Sequence, residues 1–345
     1  MKGKRPVAPE GFDQNSQQLA VWTGASPSSG RNAKIGLILG LVWCSIGSAL
    51  IPMTPVLSSV LVAFGMSNVI GRGGRREQLA ALLVSLIFGV ASTAALFGFY
   101  SVPTTVLAVL CAFAIAREYM LDRLNTSGFL LVVAATSLAM IGVDVITTSA
   151  QGTSVTALLT SVVDEAVETS INSLDLEETA TLLETRDSLV AYWPTMYFLV
   201  GAGDAICSLL GAWLAARTMG RRSETGLLVR YDVPLWVAEL FVLGVAIDML
   251  GPLLPAWQKE AAMVGANVVM ITRLALMQQG LSVLQWWLRE HHAAGPIRVL
   301  ATFTGLWFEL SFALTSVVGL LDVVMNFRHL KRNRPDLRLR PAGER

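Results

Sequence analysis

Charge is scarce in this sequence: Asp, Glu, Lys and Arg make up 15% of 345 residues, against roughly 25% in soluble domains. A chain so short of charge cannot coat an ordinary water-facing surface, and its 53% hydrophobic content asks for lipid as the solvent. Cysteine is sparse too. Cys44, Cys111 and Cys207 all lie inside apolar runs, where a thiol packs as a small hydrophobe, so no disulfide framework follows. There is no Walker A loop, no GxSxG elbow, no HExxH and no paired CxxC, which removes the usual grounds for an enzyme or a metal site. No catalytic residue, metal, cofactor or nucleic-acid partner is expected.

What the chain has instead is long apolar runs. A spanning helix needs roughly 20 mostly apolar residues, and such stretches recur from Ile35 to Phe327. The runs fall at Ile35 to Ile51, Val56 to Ile70, Leu79 to Tyr100, Thr104 to Tyr119, Gly128 to Ile146, Leu189 to Ala216, Pro234 to Leu250, Ala261 to Leu288 and Ile297 to Phe327. Pro52 and Pro55 mark a turn between the first two, and Pro103 breaks the chain before the fourth. The expected fold is an all-α polytopic transmembrane bundle of about eight to ten spans in a bacterial-type inner (plasma) membrane. Its divisions are a disordered cytoplasmic tail (1–34), a transmembrane domain (35–327) and a basic cytoplasmic tail (328–345).

The net charge of +1 conceals an uneven distribution. Basic residues gather at the N-terminal tail, at Arg72, Arg75 and Arg76, at Arg217 to Arg230, and from Arg328 onward. The positive-inside rule places these in the cytoplasm. Acidic residues gather between Asp164 and Asp187, which therefore faces outward. Within 147–188 the positions Leu158, Leu159, Val162, Val163, Val167, Ile171 and Leu174 form a helical stripe, so an outer amphipathic helical hairpin is expected. The run Ile297 to Phe327 raises a parity problem, because a single crossing would leave the basic tail outside. The spacing predicts two short segments bent near Glu309 to Ser311.

Ionisable and amide groups inside apolar runs are the candidate functional positions, because a charge in hydrocarbon needs a partner, a cavity or a pathway. Asp204 and Arg273 lie deepest and are expected either to pair with each other or to serve a substrate site. In the run Ala261 to Leu288, Asn267, Gln278 and Gln285 fall within roughly 20° of one another at about 100° per residue. That face either bonds neighbouring helices or lines a cavity for a small polar solute. Ser45 and Ala49 make a small-xxx-small pattern suited to close packing of a partner helix. The partners expected are the lipid bilayer, a small polar solute and a membrane partner protein, with a non-transporting envelope scaffold or regulator as the alternative role.

Three blocks carry a resemblance: Pro234-Leu235-Trp236, Gln279-Gly280-Leu281-Ser282-Val283, and Gly319-Leu320-Leu321-Asp322-Val323-Val324-Met325-Asn326-Phe327-Arg328. Together with the order of spans they resemble the YybS-like family of bacterial membrane proteins, a domain of unknown function. That family is distantly similar to the substrate-binding membrane subunits of energy-coupling-factor vitamin transporters. The resemblance implies a solute held between helices, and it places Ser45 and Ala49 where such subunits meet a coupling partner.

Overall fold

The computed structural model describes residues 30–171, 176–220, 231–253 and 257–330, and of 30–33, 170–171, 176–180 and 252 only the backbone. All its regular elements in these residues are helical. In chain order they are α1 (Gly30–Leu50), α2 (Pro55–Arg72), α3 (Arg75–Phe97), α4 (Val102–Met120), α5 (Thr126–Ala150) and α6 (Val155–Ile171). There follow α7 (Leu176–Ala191), α8 (Trp193–Thr218), α9 (Leu235–Leu250), α10 (Gln258–Glu290), α11 (Gly295–Phe312) and α12 (Leu314–Met325).

The breaks fall where backbone chemistry puts them. Pro55 opens α2 at its first turn, where the missing N–H costs nothing, and Asn125 caps α5 by accepting from the Gly128 N–H at 2.7 Å. Gly98 ends α3 with φ +79°, a left-handed conformation that glycine adopts without a Cβ penalty. Apolar side chains such as Leu83, Ile87, Leu131, Ile206 and Phe303 point outward, as lipid-facing residues do when the solvent is hydrocarbon.

Among the described residues, six helices are long and apolar enough to cross a membrane, or seven if α11 and α12 count as one bent span. This is fewer than the eight to ten expected. The difference lies in short elements: the apolar part of α1 is Lys34–Leu50, and α9 has 16 residues. Both still pack antiparallel beside a neighbour, since Gly40 and Gly47 of α1 lie against Val69 and Val62 of α2, and Gly244 of α9 lies against Val268 and Val269 of α10.

Two groups of helices result. In the first, α2 and α8 are central, and α1, α3, α4 and α5 pack around them. In the second, α10 is central, with α9, α11 and α12 against it. Asn267 of α10 joins the groups. Its Oδ1 accepts from the Thr195 N–H at 3.1 Å and the Thr195 hydroxyl at 2.7 Å, and its Nδ2 donates to the Ala191 carbonyl at 2.9 Å.

The expected bend is present, at Ala313 rather than Glu309 to Ser311, and turns the chain by 101°. Thr302 of α11 bonds Gln285 and Glu309 bonds Arg273, so α11 rises along α10 from its C-terminal end. After the break, Thr315 lies on Gly280, Gly319 on Leu276, and Arg328 on the Tyr231 carbonyl beside the start of α9. The α11–α12 pair therefore begins beside Gln285 of α10 and ends beside Gln279 of the same helix.

The expected hairpin pairs α6 with α7, with Arg186 donating to Asp164 at 2.7 Å. Residues 1–29 and 331–345 lie outside the described residues, but helix α1 already begins at Gly30, and Arg328 is buried, with its side chain fully enclosed.

Candidate functional site

Helix α8 is apolar on every side and is gripped by α2, α4 and α5. Glycines bracket its one carboxylate. A Cβ on Gly201 would sit 2.3 Å from the Ser137 hydroxyl of α5, and one on Gly211 would sit 2.2 Å from the Val60 carbonyl of α2. These two close approaches draw α8 against its neighbours on either side of Asp204 and hold that side chain inward, 9% exposed. Its Oδ1 accepts from the Ser59 hydroxyl of α2 at 2.9 Å.

Above Asp204 lies a cavity of about 250 Å³, partly open. Its floor and sides carry Ser59, Thr93, Thr105 and Asp204, and its apolar walls are Ile51, Ala108, Met140 and Val200. The Thr93 and Thr105 hydroxyls bond each other at 2.8 Å, tying α3 to α4 beneath the rim. Pro52, Pro55, Phe97, Ser101 and Thr104 form the mouth. The mouth residues belong to the α1–α2 and α3–α4 connections, so the cavity opens at the end of the bundle that also bears the α6–α7 hairpin. The other end carries Arg72, Arg75, Arg117 and Arg217.

The sequence-derived positions divide sharply against this geometry. Asp204 lines the cavity. Arg273 does not pair with it: its Nε donates to Glu309 Oε1 at 2.7 Å, in the other helix group. The physical reason is the break at Ala313. Breaking a helix frees backbone groups that hydrocarbon cannot satisfy, and here Glu309 Oε2 accepts the Ser316 N–H at 2.8 Å, while Arg273 Nη2 donates at 2.9 Å to the Glu309 carbonyl, which also accepts the Ala313 N–H. Arg273 is thus committed to the fold of α11 and α12.

Nor do Asn267, Gln278 and Gln285 gather round the cavity. Asn267 is spent on the group junction, Gln285 Nε2 donates to the Arg298 carbonyl at 3.1 Å and to Thr302 at 2.6 Å, and Gln278 is half-buried on α10. On α1 the closely packed face is Gly40, Cys44, Gly47 and Ser48, while Ser45 and Ala49 lie half-buried to one side of it.

A second polar cluster escaped the sequence reading. Arg328 donates to Asp322 at 2.9–3.0 Å and to the Tyr231 carbonyl at 2.8 Å, and Gln279 Nε2 donates to Asp322 at 2.7 Å. Gln279 Oε1 also accepts the Val233 N–H at 3.0 Å. The cluster fastens the end of α12 to the starts of α9 and of the inner half of α10. The available signal was the placement of Gln279, Asp322 and Arg328 within the two most recognisable sequence blocks.

Comparison with known proteins gives one family. Residues 41–323 match the family model described as "Predicted membrane protein (DUF2232)". No curated protein and no solved structure matches the chain.

Proposed function

The chain belongs to the DUF2232 family of membrane proteins, and from that premise we propose that it is a transport-type protein of the plasma (inner) membrane that receives a small polar solute in the cavity above Asp204. The protein acts by binding, not by chemistry. One observation carries this reading: a buried carboxylate at the floor of a cavity that opens at the end of the bundle away from the basic connections. By the positive-inside rule that opening faces out of the cytoplasm. At about 250 Å³ the space is just below the roughly 300–1,000 Å³ of common small-molecule pockets, which suits a small solute. The resemblance to energy-coupling-factor substrate-binding subunits agrees with a solute held between helices, and leaves Ser45 and Ala49 available to a coupling partner.

The test is a thermal-shift screen of the detergent-purified protein against pooled metabolites. A ligand at 100 times its Kd adds about 2.7 kcal/mol to the folded state. At least one pool should raise the melting temperature of the wild type and leave Ala108→Phe, whose ring fills the cavity, unmoved. Equal shifts in both proteins would contradict the reading.

A second reading, a scaffold of the cell envelope, rests on the α6–α7 hairpin, which exposes Leu158, Val162 and Leu183 on an otherwise polar surface. Under it, replacing these three by Ser removes co-purifying envelope proteins and leaves solute stabilisation untouched.

A further inference from the structure

The cavity has one ionisable group in its lining, Asp204, and the rest of its surface is hydroxyl or apolar. Among the described residues the carboxylate has Ser59 as its hydrogen-bond partner and no basic side chain in an ion pair. The cations of the same helix group stand at the opposite end. Arg217 is 13 residues along α8 from Asp204, and Arg72 is 13 along α2 from Ser59, each a rise of about 20 Å. A carboxylate at mid-depth with no counter-charge is costly, and here the space beside it is open from one end.

The polar atoms sort by role. The Thr93 and Thr105 hydroxyls are already bonded to each other, and the Ser59 hydroxyl already donates to Asp204 Oδ1. Further hydrogen bonding at the floor is therefore mainly acceptance, at Asp204 Oδ2 and the lone pairs of these hydroxyls. An incoming group matched to that floor donates protons and carries positive charge. The walls of Ile51, Met140 and Val200 and the ring of Phe97 at the mouth suit carbon, and the ring face also favours a passing cation. A bare inorganic ion would leave most of the volume unfilled.

We propose that the cavity is a site for a small organic cation, an ammonium-bearing solute whose charge is met by Asp204. This rests on the reading of the cavity as a solute site and adds the chemical class of the solute.

The experiment uses the full chain in nanodiscs, with Cys44, Cys111 and Cys207 replaced by Ala and a single cysteine introduced in the cavity wall by Ala108→Cys. Its rates of modification by the cationic reagent 2-aminoethyl methanethiosulfonate and the anionic 2-sulfonatoethyl methanethiosulfonate are compared with those at Phe99→Cys, an exposed position beyond the mouth. The cation should be favoured in the cavity by about tenfold or more relative to Phe99→Cys, within the range that charged clefts impose on local counter-ion concentration. Asp204→Asn should abolish that preference. Equal normalised rates for the two reagents overturn the cation assignment alone. If neither reagent reaches Ala108→Cys while both modify Phe99→Cys, the cavity is closed to solutes, and the proposed function falls with the inference. A second measurement needs no substitution at Asp204: propylammonium chloride should slow modification of Ala108→Cys by the neutral N-ethylmaleimide at least threefold. Sodium propionate or sodium chloride slowing it equally would overturn the assignment.

Discussion

Arg273 of α10 and Glu309 of α11 meet at 2.7 Å beside the break between α11 and α12, and Glu309 Oε2 accepts the Ser316 N–H, which has no partner in the first turn of α12. The left-handed Ala313, φ 53°, costs about 1–2 kcal/mol by itself. The bond from Glu309 to the first turn of α12 offsets that cost, and so fixes the bend.

Removing one member of this pair strands the other. Arg273→Met should lower stability in detergent by about 3–5 kcal/mol, because it leaves the Glu309 carboxylate buried without its cation. Arg273→Met with Glu309→Leu should recover part of the loss. Additive losses in the double-mutant cycle would show that the two do not act as a pair.

The crossing of α10 and α12 depends on two glycines. A Cβ on Gly280 would lie 1.9 Å from the Thr315 carbonyl, and one on Gly319 would lie 1.9 Å from the Leu276 carbonyl. Gly280→Ala and Gly319→Ala should each destabilise by about 1–3 kcal/mol or more. Gly203→Ala, where a Cβ meets nothing within 4 Å, should be neutral or stabilising by up to about 1 kcal/mol. Melting curves of the three variants decide it.

If α11 and α12 enter and leave at one end, the turns at both their ends share a side of the membrane. Single cysteines at the exposed His292 and His329, in a background without native cysteines, should react with an impermeant maleimide from the same side. Labelling from opposite sides would make the pair a crossing span.

The α6–α7 hairpin should loosen in acid. The Arg186 guanidinium bonded to Asp164 holds that carboxyl below its usual value of 3.8. A depressed folded value means the stabilisation is complete above the unfolded value of about 3.9 and is lost as pH falls through the lower one. Distances between spin labels at Ser161 and Thr185 should be narrow at pH 7 and broaden below about pH 4. Arg186→Gln should be broad at both.

Much of the helix order was legible because prolines and charge runs act locally: Pro55 opens α2, Pro103 lies in the first turn of α4, and the acidic residues between Asp164 and Asp187 lie on the paired helices α6 and α7. The bend before α12 was legible only as a mismatch of side, and its residue, Ala313, has no local mark. Pairings were the weak point. Asp204 and Arg273 each need compensation, which suggested each other, yet α8 and α10 belong to different helix groups, joined through Thr195 and Asn267. Arg328 read as a cytoplasmic basic residue because it follows an apolar run, and its burial depends on Asp322 and Tyr231, which only the folded chain brings near. The cavity hydroxyls of Ser59, Thr93 and Thr105 belong to the adjacent pairs Ser58-Ser59, Ser92-Thr93 and Thr104-Thr105 in apolar runs of three helices, and no spacing rule connects one pair with another.

A solute in the space above Asp204 is the central claim. Native mass spectrometry of the wild type released from mild detergent measures this most directly. A bound non-lipid organic cation should be retained at one per chain, and should be absent from Asp204→Asn and from Ala108→Phe prepared in parallel. A wild type that carries no such mass after incubation with the stabilising metabolite pool, or variants that carry it equally, would contradict the assignment of this cavity.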